Sequence, residues 1–181
     1  MSIHILGIFG SLRQESSNQG LVKLAQKLAP ADVTFTLYDK IGSLPFYNED
    51  LEDPSRTPIS VIDWRNVVTS ADALFIAAPE YNFGPSALLK NAIDWASRPM
   101  GQHALSGKVI SLISSSGGTG GAHMIEQLSG ILGLLGNTMI IEPIGQIAKG
   151  AVHISSDGST TDPTIEALVK ERLQALIATV Q

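Results

Sequence analysis

The chain contains no cysteine. That excludes a disulfide framework, a thiolate nucleophile and a cysteine-ligated metal. Its four histidines, His4, His103, His123 and His153, stand far apart without H-x-x-x-H spacing, so no metal site is expected. A strong charge imbalance is missing too. Twelve Lys and Arg against 17 Asp and Glu leave a net charge of −5. A nucleic-acid binder would show a basic stripe, and a dedicated acidic electron shuttle would be far more acidic. No apolar run approaches the roughly 18 residues of a membrane span. The N-terminus lacks a basic n-region and a cleavage site, so a cytoplasmic protein is expected. Two phosphate-binding signatures are absent: after Gly7 and Gly10 no glycine occurs until Gly20, so there is neither G-x-G-x-x-G nor a P-loop. There is no G-x-S-x-G nucleophile elbow either.

What is present is an alternation of strand-like and helix-like segments along all 181 residues. One domain, residues 1–181, with a substantial core is expected. Ile3, Ile5, Leu6, Ile8 and Phe9 read as a buried first strand. Leu21, Leu24, Ala25 and Leu28 fall at i, i+3, i+4 and i+7, a helix packed on it, and Pro30 ends that helix. Val33–Tyr38 alternates with period two. Residues 39–58 are irregular, a length that points to function or to a plain surface excursion. Val61, Trp64, Arg65 and Val68 mark a second helix after Pro58. Asp72–Ala78 is continuously apolar after its first residue, a strand buried on both faces. Leu88, Leu89, Ala92, Ile93 and Ala96 mark the third helix, Lys108–Ser114 the fourth strand, and Met124, Leu128, Ile131, Leu132 and Leu135 the fourth helix. Met139–Ile141 is a short fifth strand. The segment 145–159 has no clear assignment beyond a turn at Asp157-Gly158. Asp162 caps a last helix with Pro163 at its first position. Five strands and five helices in this order suit an α/β, three-layer, flavodoxin-like sandwich with a parallel sheet ordered 2-1-3-4-5.

In such a sheet ligands bind beyond the carboxyl ends of the strands, near the switch between the first and third. Three chemically unusual loops leave those ends: 10–18, 79–85 and 114–121. The first carries Ser11, Arg13, Ser16, Ser17 and Asn18 before a helix N-terminus, a set suited to the phosphate of flavin mononucleotide (FMN). The same serines and asparagine are equally suited to capping the helix. The second carries Pro79, Glu80, Tyr81, Asn82 and Phe83, which offer flat contact and backbone hydrogen bonds to an isoalloxazine ring, or a structural turn with packed aromatics. The third carries Ser114, Ser115, Ser116, Gly117 and Gly118, whose backbone N–H groups can form an anion-binding nest or simply a flexible turn. Glu80 has no second carboxylate to form an acid–base dyad. His123 reads as a surface residue at a helix start, Trp64 and Trp95 as packing or interface groups, and Lys90 with Asp94 as an ordinary i, i+4 pair.

Three strings carry a family resemblance: Gly10-Ser11-Leu12-Arg13 with Ser17-Asn18, Leu44-Pro45-Phe46-Tyr47-Asn48-Glu49-Asp50-Leu51-Glu52, and Pro79-Glu80-Tyr81-Asn82 with Leu89–Pro99. Over residues 3 to about 150 the chain resembles the NAD(P)H-dependent FMN reductases, whose relatives include quinone, azo-dye and chromate reductases. The resemblance implies an FMN-binding homodimer or tetramer with the flavin near a subunit interface. It places Ser11, Arg13, Ser17 and Asn18 on the phosphate, Pro79–Phe83 beside the ring, and Ser114–Gly118 on its other edge. Phe83-Gly84-Pro85 departs from the pattern of many relatives, as does the glycine-rich 117–121. The activity implied is hydride transfer from NAD(P)H to the flavin N5, then to a quinone, flavin, azo dye or metal oxyanion in ping-pong order. No side chain is required as an acid or base, with the Tyr81 hydroxyl the one candidate donor. A one-electron carrier of flavodoxin type and a flavin-free binding domain on the same fold are the rival expectations.

Overall fold

A computed structural model describes residues 2–181. In chain order the elements are β1 (Ile3–Phe9), α1 (Ser17–Leu28), β2 (Val33–Tyr38), α2 (Ile59–Ser70), β3 (Ala73–Ala77), β4 (Glu80–Tyr81), β5 (Gly84–Pro85), α3 (Ala87–Ala96), β6 (Val109–Ser116), α4 (Ala122–Leu134), β7 (Thr138–Ile140), β8 (Gln146–Ala148) and α5 (Pro163–Val180). The main sheet is parallel, in the order β2-β1-β3-β6-β7. This is the expected 2-1-3-4-5 arrangement, with one difference. The fifth position is split: β7 pairs with Val109–Ser111 of β6, and β8 pairs with Ser114–Ser116 farther along. The segment read as unassigned therefore contains a strand. Gln146–Ala148 is too short, and with only Ile147 buried, to show a period in the sequence.

Strand alternation sorts the core into two layers. Leu6, Ile8, Leu74, Ile76, Ile110 and Leu112 face α2, α3 and α4, where they meet Trp64, Trp95 and Leu128. Ile5, Phe75, Ala77 and Ile113 face α1 and α5, against Leu21, Val169 and Leu173. Each fully buried Leu or Ile contributes about 1.5–3 kcal/mol. Both tryptophans are core groups, as read: Trp64 Nε1 donates to Ala92 O at 2.8 Å and Trp95 Nε1 to Pro45 O at 2.8 Å. Among the described residues no helix is long and apolar enough to cross a membrane.

The irregular stretch 39–58 docks on α3. Asn91 donates to Pro45 O at 3.0 Å and accepts from Tyr47 N at 2.8 Å. Arg98 pairs with Glu52 at 3.2 Å and lies over the Tyr47 ring. So two of the resembling strings, 44–52 and 89–99, hold each other. The split edge strand is held from α5. Arg172, buried, donates from Nε to Ser111 Oγ at 3.0 Å, from Nη2 to Ile140 O at 3.0 Å, and from Nη1 to Pro143 O. Burial lowers its pKa to about 10, against a small opposing pull from Glu142.

Candidate functional site

The three loops converge. A cleft of about 220 Å³ opens at the carboxyl ends of β1, β3 and β6. From the first loop it is lined by Ser11, Arg13, Ser16, Ser17 and Asn18, from the second by Pro79, Glu80 and Tyr81, and from the third by Ser115, Ser116 and Gly117. Ser114, Gly118, Asn82 and Phe83 do not line it. Ser114 is fully buried and its Oγ lies 2.9 Å from Ser116 Oγ.

In the first loop, three hydroxyls each already accept a hydrogen bond. Ser11 Oγ accepts from Arg13 N at 3.3 Å, Ser16 Oγ from Gln19 N at 3.3 Å, and Ser17 Oγ from Ser115 Oγ at 2.8 Å. A hydroxyl that accepts keeps its own hydrogen for donation, so each can give an O–H to an anion. Ser16 also caps α1. The cap and the first intrahelical bond occupy the N–H groups of Gln19 and Gly20. Those of Ser17 and Asn18 have no protein acceptor among the described residues, as a helix start leaves them. The Arg13 guanidinium likewise forms no ion pair among the described residues. Capping and anion binding are thus compatible here rather than competing. Asn18 is different. Its amide donates to Ser115 O at 2.9 Å and accepts from Ser115 N at 2.9 Å, fully buried. The side chain stitches the first loop to the third.

In the second loop, β4 and β5 form a hairpin whose two turn residues, Asn82 and Phe83, have φ of 50° and 63°. Asparagine tolerates this region; a bulky aromatic is strained there. Gln127 Nε2 donates to Phe83 O at 2.7 Å, and the Phe83 ring packs edge-on against His123 at 5.2 Å. Phe83 thus leans on α4, still 66% exposed. The Glu80 side chain is only 7% exposed. It accepts from Thr119 Oγ1 at 2.8 Å, from Met124 N at 3.1 Å, and lies 3.2 Å from His123 Nδ1. Burial works to raise its pKa, but the bonds from Met124, Thr119 and His123 outweigh that and hold the carboxyl below its ordinary value. Gly121 at the N-cap of α4 offers no side chain, and Glu80 supplies the missing cap from another element.

In the third loop the glycines divide. Gly121 has φ of 89°, and a Cβ there would overlap Ser114, so the turn demands glycine. At Gly117 and Gly118 a Cβ would meet nothing within 4 Å. Their N–H groups have no protein acceptor among the described residues, and they stand on open space.

Two lining residues went unseen in the sequence, Lys149 and Ala151. Lys149 N donates to Ser116 O at 2.8 Å and to Gly117 O at 3.2 Å, which brings it beside the third loop. It follows β8, the strand without a readable pattern, and its only signal was a lone lysine in an unassigned segment.

Residues 3–151 match the NADPH-dependent FMN reductase family. The chain belongs to that family. Its oxidoreductase class follows, with FMN and a nicotinamide nucleotide as the groups that chemistry requires. Within the FMN reductases it is 37% identical over 181 residues to an NAD(P)H-dependent FMN reductase from Pseudomonas aeruginosa, covering 96% of this chain and 93% of that one. It is 36% identical to a 2-hydroxy-1,4-benzoquinone reductase from a Burkholderia species, over 88% of this chain and 86% of the relative. Among solved structures it is similar to FerB, a flavoenzyme NAD(P)H:(acceptor) oxidoreductase from Paracoccus denitrificans. There the TM-score is 0.88 at 35% identity, over 98% and 97% of the two chains.

The residues fit this family's cofactor. Three free O–H donors, two helix-start N–H groups and an unpaired guanidinium suit a phosphate. Open backbone at Gly117 and Gly118 and the half-exposed Tyr81 leave a flat edge for a ring.

Proposed function

We propose that the chain is a two-electron NAD(P)H:quinone-type reductase that works on bound FMN. Ser11, Arg13, Ser16 and Ser17 hold the phosphate, with the N–H groups of Ser17 and Asn18. Pro79, Glu80, Tyr81, Asn82 and Phe83 form one wall of the ring site. Ser115, Ser116, Gly117 and Gly118 form the other edge, with Ser114 behind them. Lys149, beside the third loop, adds a second positive charge to the cleft. The chemistry FMN supplies when bound is hydride storage at N5 between NAD(P)H and an acceptor that replaces the nicotinamide in ping-pong order. The chain itself orients both stacked partners and supports negative charge on the ring edge with backbone N–H groups. No carboxylate is poised as an acid: Glu80 is held ionised by its α4 contacts. The acceptor is a small quinone or flavin, with azo dyes and metal oxyanions as further oxidants, met in the cytoplasm where reduced nicotinamide is abundant.

A homodimer or tetramer completes the wall, because the cleft alone is smaller than the roughly 300–1,000 Å³ of most small-molecule sites. Phe46 and Leu134, almost fully exposed, are available for such contacts. The observation that carries the proposal is the set of three accepting serines around a free Arg13. Anaerobic mixing of the FMN-loaded protein with NADPH, and separately NADH, tests it. Rapid bleaching of the flavin band, reversed by added benzoquinone, is the expected result. A flavin that stays oxidised for minutes would favour the one-electron carrier, and a chain that binds no FMN the flavin-free domain.

A further inference from the structure

A second and larger cavity, about 330 Å³, lies next to the phosphate loop and has no part in the chemistry above. Glu15 forms one side and residues 151–156 with 159–161 the other. It adjoins the cofactor cleft at two points. Ala151 lines both, and Glu15 sits in the phosphate loop between Arg13 and Ser16. The two cavities therefore share a wall at Ala151 and both abut the phosphate loop.

Its walls are built before any ligand arrives. Ile154 and Thr160 form an antiparallel bridge, and Ser155 N donates to Ser159 O at 2.9 Å. Thr160 Oγ1 donates to His153 O at 2.7 Å. Ser156 Oγ reaches Glu15 Oε2 at 3.2 Å. The segment is seated on α1 so closely that a Cβ at Gly20 would overlap the Ser155 carbonyl. Such preorganisation is what a binding wall needs.

The chemistry of the walls is selective. Five Ser and Thr residues and one carboxylate line the cavity, and no Lys or Arg does. A further phosphate finds no cation there, whereas a sugar does find acceptors: a carboxylate receives a vicinal diol, the way an acidic side chain marks a ribose. Val152, 78% exposed, and the half-exposed His153 ring offer a face for a base.

We infer that this cavity takes the adenosine half of a flavin dinucleotide, so that the chain binds FAD as well as FMN. Glu15 holds the ribose diol and the pyrophosphate bridges from Arg13. The inference rests on the placement of the flavin phosphate at residues 11–17.

The test uses the full chain freed of flavin and titrated with FMN and with FAD, read by flavin fluorescence. FAD is expected to bind within about ten-fold of FMN, a difference of about 1.4 kcal/mol at most. Ser156→Trp fills the cavity and should lower the FAD-to-FMN affinity ratio about ten-fold or more. Glu15→Gln, an isosteric change, should lower that ratio about three- to ten-fold by weakening a charge-assisted hydrogen bond. An FAD affinity more than about ten-fold below that of FMN, or a ratio unmoved by both variants, overturns the inference. FMN binding without FAD binding defeats this inference alone. Failure of FMN itself to bind defeats the cofactor placement beneath it.

Discussion

Replacing Asn18 separates two roles that its position before a helix confounds. If the amide served the ligand, Asn18→Ala would weaken FMN binding and leave the flavin-free chain unharmed. The contacts argue otherwise. The amide makes both of its bonds to the backbone of Ser115, 97 residues away, at 2.9 Å each. Both residues are buried. Truncation leaves one N–H and one C=O without partners, each costing about 1–3 kcal/mol, so about 2–4 kcal/mol in all when some water enters. For a chain of this size that is a fall in Tm of about 4–16 °C. Asn18→Asp is the sharper probe. It keeps an acceptor for Ser115 N–H but sets a carboxylate oxygen against the Ser115 carbonyl, so it should be at least as harmful at pH 7. The assay is thermal unfolding of the flavin-free chain by circular dichroism, beside an FMN titration. A Tm within 1 °C of the parent chain for Asn18→Ala would refute the reasoning and return Asn18 to the phosphate.

Four further outcomes are expected. Arg13→Ala removes a charge-assisted hydrogen bond worth about 1.5–3 kcal/mol, so the FMN Kd from fluorescence quenching should rise about 10- to 150-fold. Lys149→Met should raise it less, because that lysine stays exposed. Glu80→Gln removes a charged cap from α4 at a cost of about 1 kcal/mol at pH 7. Because the folded carboxyl titrates below its ordinary value, its contribution is full above that value and fades as pH falls through the folded pKa. Parent and variant should therefore converge in urea unfolding once the pH lies below the folded pKa of Glu80, and a gap that does not narrow on acidification would contradict the cap. Phe83→Gly relieves a positive φ of 63°, at an αL cost of about 1–2 kcal/mol, partly offset by glycine's greater chain entropy. A small gain in Tm is expected, and a loss would mean that packing on His123 outweighs the strain.

Much of this was legible along the chain. Apolar runs, the period-two alternation of Val33–Tyr38 and the helical stripes predicted the elements, since burial leaves a mark along the chain, and their strand–helix alternation suited the sheet order. Ser16 and Asp162 were readable as caps because capping is local: each accepts from a backbone N–H two or three residues on. The convergence of the loops after β1, β3 and β6 also followed, because sheet order alone brings those strand ends together. Glu80 was less legible. It was read as a lone carboxylate in the site, but its partners Thr119, His123 and Met124 lie some 40 residues away, and no local pattern records such a contact.

Fold class, family and the three loops that matter are all written in short-range periodicity or contiguous strings, and so were readable from the chain alone. What each side chain in those loops does depends on the folded arrangement. Folding assigned Asn18 to Ser115, Glu80 to the start of α4 and Lys149 to the edge of the cleft. It also left three serine hydroxyls with a hydrogen still to give. Which donors remain free is settled by partners distant in the chain, since a hydrogen bond depends on separation in space and not in sequence.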